Sequence, residues 1–115
     1  MFRFASNEIG IVQGETLIVA DFDAHGPMWT TEGERTARER VSFPERFLTA
    51  PAVHLGVGMW DLDSDRNQRG DLRADNLTPS GFDLVFSTWG DTRVARLRVQ
   101  WIAIGALPDE QDFVL

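Results

Sequence analysis

The chain has 115 residues, no cysteine and a formal net charge of −7, from 11 basic and 18 acidic residues. A domain takes about 100 to 200 residues, so residues 1–115 are predicted to form one domain. The negative charge repels phosphate and disfavours nucleic-acid binding. The lack of cysteine excludes disulfides, thiol nucleophiles and thiolate-bound metals. A chain this small has little room for a deep cavity beside its core, so a ligand is expected at the surface or between subunits.

The amino terminus lacks the apolar stretch of a secretory signal. No run of residues approaches the ~18 apolar positions of a membrane span. The sequence therefore predicts a soluble protein without a membrane span, and it leaves the compartment open between the cytoplasm and export by a route that uses no signal peptide.

Alternating apolar and polar residues dominate the chain, and no stretch beyond a turn or two has helical spacing. The alternation predicts six short strands, over residues 16–22, 35–43, 53–60, 69–76, 82–89 and 93–104. Pro79 and Gly81 predict a tight turn that joins the fourth and fifth strands in a hairpin. Short strands with turn signals every 8 to 12 residues or so are typical of an all-β sandwich or small barrel. Residues 108–115 predict an acidic, frayed tail.

Enzymatic and metal-binding motifs are weak or missing. The run Asp61 to Asn67 has the spaced oxygen ligands of a calcium loop, but Arg66 and Leu72 occupy the positions that need Gly and Glu. A polar loop is the preferred interpretation. His25 and His54 are the only histidines, and no nucleophile or phosphate-loop motif accompanies them. The sequence predicts neither an enzyme nor a bound metal or cofactor.

Trp89 is the most informative candidate residue. Phe82, Leu84 and Phe86 share one face of the predicted fifth strand, and parity places Trp89 on the opposite, outward face. An outward indole serves either as a contact to another subunit or as a platform for the apolar face of a ligand such as a sugar ring. The residues of this strand alone leave both alternatives open.

Several short motifs follow one another in residues 43–105. They are Phe47-x-x-x-Pro51, Asn67-Gln68-Arg69, Asn76-Leu77-Thr78-x-x-Gly81-Phe82, Thr88-Trp89-x-Asp91-Thr92 and Trp101-Ile102-Ala103-Ile104-Gly105. In this order they resemble the H-type lectin domain, the family of the snail agglutinins and of the carboxy-terminal discoidin domain. The resemblance extends more loosely upstream through Gly33 and Arg38.

The resemblance implies a six-stranded antiparallel β-sandwich that assembles as a trimer or a dimer of trimers. It also implies a shallow site for galactose or N-acetylgalactosamine at each subunit junction. In such lectins a Trp stacks on the sugar ring and an Arg donates to its hydroxyls, and Trp89 and Arg69 occupy those positions here. Apolar residues expected on outer faces, namely Trp60, Val85, Ile102 and Ile104, agree with an oligomer.

Two positions depart from the family pattern. Gly90 follows the Trp where a well-known member has a His that contacts the acetamido group. The upstream sugar-binding Asp corresponds by spacing to Arg35, between Gly33 and the Arg38 motif, although the neighbouring Glu34 offers a carboxylate. An Arg at this position also suggests an acidic sugar, bound through paired hydrogen bonds.

The leading hypothesis is therefore a non-enzymatic lectin whose site includes Trp89, Arg69, Gly90, Gly33, Glu34 and Arg35. The alternative is a structural or adhesion module of a surface or phage-like particle that keeps the fold and the trimer without binding sugar.

Overall fold

A computed structural model describes residues 1–4 and 8–109. Its strands are β1 (Ile9–Ala20), β2 (Arg35–Ser42), β3 (Ala52–Leu62), β4 (Asp71–Thr78), β5 (Gly81–Thr88) and β6 (Val94–Ala106), and β1 is followed by the helices α1 (Asp21–Ala24) and α2 (Pro27–Thr30). The strands form two antiparallel sheets with the orders β1-β6-β3 and β2-β5-β4. The predicted all-β, six-stranded antiparallel sandwich is confirmed, as is the β4–β5 hairpin.

The core lies between the inner faces of the two sheets. The central strands β5 and β6 supply most of it because each has a neighbour on both sides, and their inner residues include Phe82, Leu84, Phe86, Leu97, Val99 and Trp101. The Trp101 ring packs against Phe82 and Phe43, with centroids 5.6 and 5.9 Å apart. Gly14 faces this indole, and a Cβ there would lie 2.6 Å from the ring. The close approach of β1 to Trp101 therefore requires glycine.

The region around β1 differs from its prediction. β1 begins at Ile9 rather than Thr16, because Ile9 pairs with Ala106 and β6 offers a partner along its whole length. It ends at Ala20, and Phe22 lies in α1 instead of a strand. Neither helix was predicted, since one turn of four residues is too short to show a 3.6-residue period. Of the predicted tail 108–115, residues 110–115 lie outside the described residues.

Two residues expected on outer faces are placed differently. Val85 is fully buried although it lies on the outer face of β5. It pairs with Arg38 on one side and Arg73 on the other, and the aliphatic stems of long arginine side chains cover such a position. Trp60 is 44% exposed, but a bulge in β3 pairs it with the buried Leu97 and so places it on the inner side of the sheet edge. Among the described helices, none is long and apolar enough to cross a membrane.

Candidate functional site

Three connections meet at one end of the sandwich. Arg35, the first residue of β2, pairs with Thr88, the last residue of β5. Leu62 at the end of β3 pairs with Val94 at the start of β6. The segments 31–34, 63–70 and 89–93 therefore lie side by side. The sequence-predicted site residues all belong to these segments or to the first residue of β2.

The segment before β4 is held in place by two buried threonines. The backbone N–H of Arg69 donates to Thr92 Oγ1 at 3.0 Å, and the hydroxyl of Thr88 donates to the Arg69 carbonyl. The Thr92 hydroxyl in turn donates to the carbonyl of Asn67. Both threonines are almost completely inaccessible to solvent. Arg69 thus precedes β4 instead of lying in it, which corrects the predicted strand start, and its backbone is fixed by hydrogen bonds to its neighbours.

Arg69 and Trp89 are both exposed at this end, and both lie next to Gly90. Trp89 directly follows β5 and is 41% exposed. The guanidinium of Arg69 is exposed and has no hydrogen-bond or ion-pair partner among the described residues. A Cβ on Gly90 would lie 3.4 Å from Arg69 Nε, so the arginine side chain lies beside Gly90. An unpaired cation with several donors beside an exposed indole is suited to a ligand that has both hydroxyl groups and an apolar face.

Arg35 is buried under this surface, with 8% of the residue exposed. Its guanidinium donates to backbone carbonyls of α2 and of the segments 31–34 and 89–93. These carbonyls belong to Gly33 (2.8 Å), Met28 (3.2 Å), Thr31 (2.8 Å), Thr92 (2.6 Å) and Gly90 (3.3 Å). Burial lowers the pKa of Arg35 from its ordinary value, against the opposing effect of Glu32. The side chain is therefore an internal brace. This arrangement does not favour the expected contact of Arg35 with an acidic sugar, because the donors are bound to carbonyls of the chain itself.

Gly33 and Gly90 lie next to each other in the same region. The N–H of Gly33 donates to the carbonyl of Gly90 at 2.8 Å. Their φ angles are +86° and +68°, values that favour glycine. Glu34 follows Gly33, is exposed, and its carboxylate has no partner among the described residues. The structure therefore brings Gly33, Glu34 and Gly90 to the end of the sandwich that presents Trp89 and Arg69.

Other polar residues here were not predicted as site residues, although Arg66, Asn67 and Asp91 belong to motifs of the sequence. Glu32 accepts a hydrogen bond from Arg66 Nη1 at 3.0 Å and lies 3.8 Å from Arg93 Nη2. Asn67 Nδ2 donates to Asp91 Oδ1 at 3.1 Å, and this hydrogen bond lowers the pKa of Asp91. No periodicity marks residues in irregular segments, so their proximity emerges only when the chain is folded.

The calcium-like run Asp61 to Asn67 forms the end of β3 and a turn. Asp63 Oδ1 accepts the backbone N–H of Asp65 at 3.0 Å, and Asp63 also lies 3.9 Å from Arg66. Within residues 1–4 and 8–109, no three acidic or histidine side chains are grouped to hold a metal ion. The polar groups of this run instead contact one another and side chains of neighbouring segments, such as Asp61 with Arg96.

Comparison with known proteins gives three related findings. The model of the H-type lectin domain family matches residues 38–104. A protein of Fuscovulum blasticum named ATP synthase subunits region ORF 7, a name that assigns no activity, is 49% identical over 113 residues, covering 98% of this chain and 97% of that protein. Discoidin-2 of Dictyostelium discoideum is 38% identical over 73 residues, or 63% of this chain and 28% of that protein.

The fold has a similar solved structure. Discoidin II of Dictyostelium discoideum superposes with a TM-score of 0.75 and 28% identity over 94% of this chain. The match takes up 41% of the discoidin II chain. This chain thus spans less than half of the discoidin proteins that it resembles.

Proposed function

The chain belongs to the H-type lectin domain family, and from this premise we propose that it binds galactose or a related sugar at Trp89 and Arg69. The family and its discoidin relatives support carbohydrate binding as the general activity. The observation that carries the proposal is that the Arg69 guanidinium, which has no partner among the described residues, lies against Gly90, next to the exposed Trp89. The protein acts by noncovalent binding and not by catalysis.

Each side chain has a separate physical role. The Trp89 indole covers the C–H-rich face of the sugar ring, which removes apolar surface from water. Arg69 supplies several donors to ring hydroxyls, and hydrogen bonds to Thr88 and Thr92 fix the backbone from which its side chain extends. Arg35 acts as a positioning residue because it ties the carbonyls of Gly33 and Gly90 together.

Carboxylates on either side of Gly33 are the candidates for accepting hydrogen bonds from the sugar. The Glu34 carboxylate has no partner in the described part of the chain, whereas Glu32 is oriented by Arg66. A carboxylate has about four lone-pair sites, so pairing with one arginine leaves acceptor capacity for a hydroxyl. Replacing each residue in turn by Gln distinguishes them, since only the contacting carboxylate weakens sugar binding when its charge is removed.

Gly90 bears on the choice of sugar. Gly90 has no side chain to contact an acetamido substituent, and the Arg69 side chain lies against the position of its missing Cβ. We therefore propose a site that accepts galactose and N-acetylgalactosamine with little discrimination between them.

The outer face of the β1-β6-β3 sheet supports assembly into a trimer. Ile11 and Leu17 are 66% and 51% exposed on this face. The half-buried Ile104 pairs with Ile11, and the half-buried Ile102 lies on the same face. An exposed apolar sheet face is covered in most proteins by another element or subunit. Three weak sites joined in one trimer gain avidity for multivalent glycans, which suits a shallow site at a subunit junction.

A glycan array tests the proposal directly. Wild type is compared with Trp89→Ala and Arg69→Gln, and with Trp60→Ala as a matched control, because Trp60 is an exposed indole on β3. We expect galactose-terminated glycans to bind wild type and the control, and each site variant to lose at least about tenfold in affinity, or about 1.4 kcal/mol. Absence of binding by a folded wild-type protein would instead support the structural or adhesion module.

A further inference from the structure

The helices α1 and α2 stand at the same end of the sandwich as Trp89. Arg35 joins the two regions, because the carbonyls of Met28 in α2 and of Gly90 contact the same guanidinium at 3.2 and 3.3 Å. Trp29 follows Met28 and Trp89 precedes Gly90, so each indole is one residue away from a carbonyl held by Arg35. Met28 itself is 3% exposed and anchors α2 in the core. The helical lobe, residues 21–30, therefore borders the candidate sugar site.

Several hydrogen bonds hold the backbone of this short helical lobe. The Asp21 carboxylate accepts the backbone N–H of Met28 at 2.8 Å, and the Asp21 carbonyl accepts that of Gly26 at 3.0 Å. A Cβ on Gly26 would lie 2.4 Å from Asp21 Cγ, so this approach needs glycine. Thr30 and Thr31 hydroxyls donate to carbonyls one turn earlier. Such a network holds the rings of the lobe in one arrangement before any ligand arrives.

Phe22 and Trp29 form an aromatic pair on this lobe. Their ring centroids are 5.1 Å apart at an interplanar angle of 68°, an edge-to-face contact. Phe22 is 50% exposed and Trp29 is half-buried, so the pair offers a continuous apolar surface to solvent. Asp23 is exposed between them in sequence, and its carboxylate has no partner among the described residues. The lobe thus combines an apolar platform with a free hydrogen-bond acceptor.

We propose that Phe22 and Trp29 form a second subsite, which holds the next sugar unit of a galactose-terminated oligosaccharide. This inference rests on the proposed function, since the first unit lies at Trp89 and Arg69. The second unit stacks on the aromatic pair and donates a hydroxyl to Asp23. It is a neutral sugar, because the carboxylates of Asp21 and Asp23 repel an acidic one.

The test compares galactose with a panel of galactose-terminated tetrasaccharides in α and β linkage, by calorimetry on the assembled protein. Wild type is expected to bind at least one neutral tetrasaccharide more tightly than galactose. Phe22→Ala should reduce this advantage by about threefold to tenfold and leave galactose affinity unchanged. Phe22→Tyr, which keeps the ring, should retain the advantage, and Val57→Ala, at an equally exposed position on β3, should have no effect.

The outcomes separate this proposal from the proposed function. If wild type binds none of these sugars, the lectin hypothesis itself fails and takes the second subsite with it. If wild type binds galactose but gains nothing from any tetrasaccharide, or if Phe22→Ala leaves the gain intact, only the second subsite is overturned. An equal loss for galactose and tetrasaccharide in Phe22→Ala would also overturn it, because it would indicate damage to the first site. Unfolding curves of the three variants show that the fold is retained.

Discussion

At the scale of single residues, Arg35 shows how one buried side chain joins several irregular segments at one end of the sandwich. A buried guanidinium is costly unless its donors are used, and here backbone carbonyls from the 26–34 and 90–92 segments use them. The same contacts give hydrogen-bond donors to carbonyls that accept no hydrogen bond within a strand or helix. Arg35 therefore contributes both to stability and to the positions of Gly33 and Gly90.

Arg35→Met is expected to lower the free energy of unfolding by about 2–4 kcal/mol, because it leaves several carbonyls unsatisfied. Urea denaturation provides the measurement. Arg38→Met serves as the control, since Arg38 is an exposed arginine of the same strand whose ion pairs are worth about 1 kcal/mol or less. Similar losses in the two variants would contradict the role of Arg35 as an internal brace.

At the scale of secondary-structure elements, the end of β5 and the turn into β6 position the segment before β4. The Thr92 hydroxyl accepts from the Arg69 N–H and donates to the Asn67 carbonyl, and so connects two segments that adjacent strands alone would leave independent. The Arg69 side chain has no partner among the described residues. The position of its guanidinium therefore depends on where these hydrogen bonds hold the Arg69 backbone.

Thr92→Val keeps the shape of the side chain and removes both hydrogen bonds. We expect stability to fall by about 1–2 kcal/mol and sugar affinity to weaken severalfold, since Arg69 is no longer fixed. Thr36→Val is the matched control, because the exposed Thr36 hydroxyl contacts Ser87 on β5. Thermal unfolding and sugar titration of both variants test this, and an unchanged affinity in Thr92→Val would refute it.

At the scale of the whole molecule, the two outer faces of the sandwich differ in chemistry. The outer face of the β2-β5-β4 sheet carries alternating arginines and aspartates, with Asp83 bound by Arg38 at 3.1 Å and by Arg40 at 3.3 Å. The hydrogen bond from the Asn76 amide has the largest effect and lowers the pKa of Asp83, and the two arginines lower it further. The β1-β6-β3 face instead exposes Ile11 and Leu17. We expect association through the β1-β6-β3 face, because Ile11 and Leu17 offer apolar surface for burial. This face also carries the ion pairs Arg96–Asp61 and Arg98–Glu15.

Ile11→Glu is therefore expected to shift the protein toward a 13.0 kDa monomer at micromolar concentration. Burying a carboxylate in an apolar contact costs several kcal/mol, enough to dissociate an assembly of moderate affinity. Sedimentation equilibrium gives the mass directly. Thr36→Glu adds the same charge to the opposite sheet and should leave the assembly intact. A wild-type protein that is monomeric under these conditions would rule out the trimer.

Much of this organisation was determined by local sequence patterns. Alternation located all six strands because the side-chain period of a strand is a local property of the backbone. Parity likewise predicted an exposed Trp89, and the order of the short motifs predicted the family, which the match to residues 38–104 shows. Pro79 and Gly81 placed the β4–β5 turn, since their backbone preferences act over a few residues.

The folded chain alone decided which of the neighbouring charged residues face solvent. Arg35 and Arg69 are the same residue type in polar stretches. Arg35 donates to carbonyls from distant segments, whereas the Arg69 side chain has no partner within residues 1–4 and 8–109. Val85 is buried because arginines from β2 and β4 flank it, although none of the three is adjacent in sequence. Strands could be predicted because their alternation depends on residues that are neighbours in the sequence. The detailed site could not be predicted, because burial and the choice of partners depend on contacts between residues far apart in the chain.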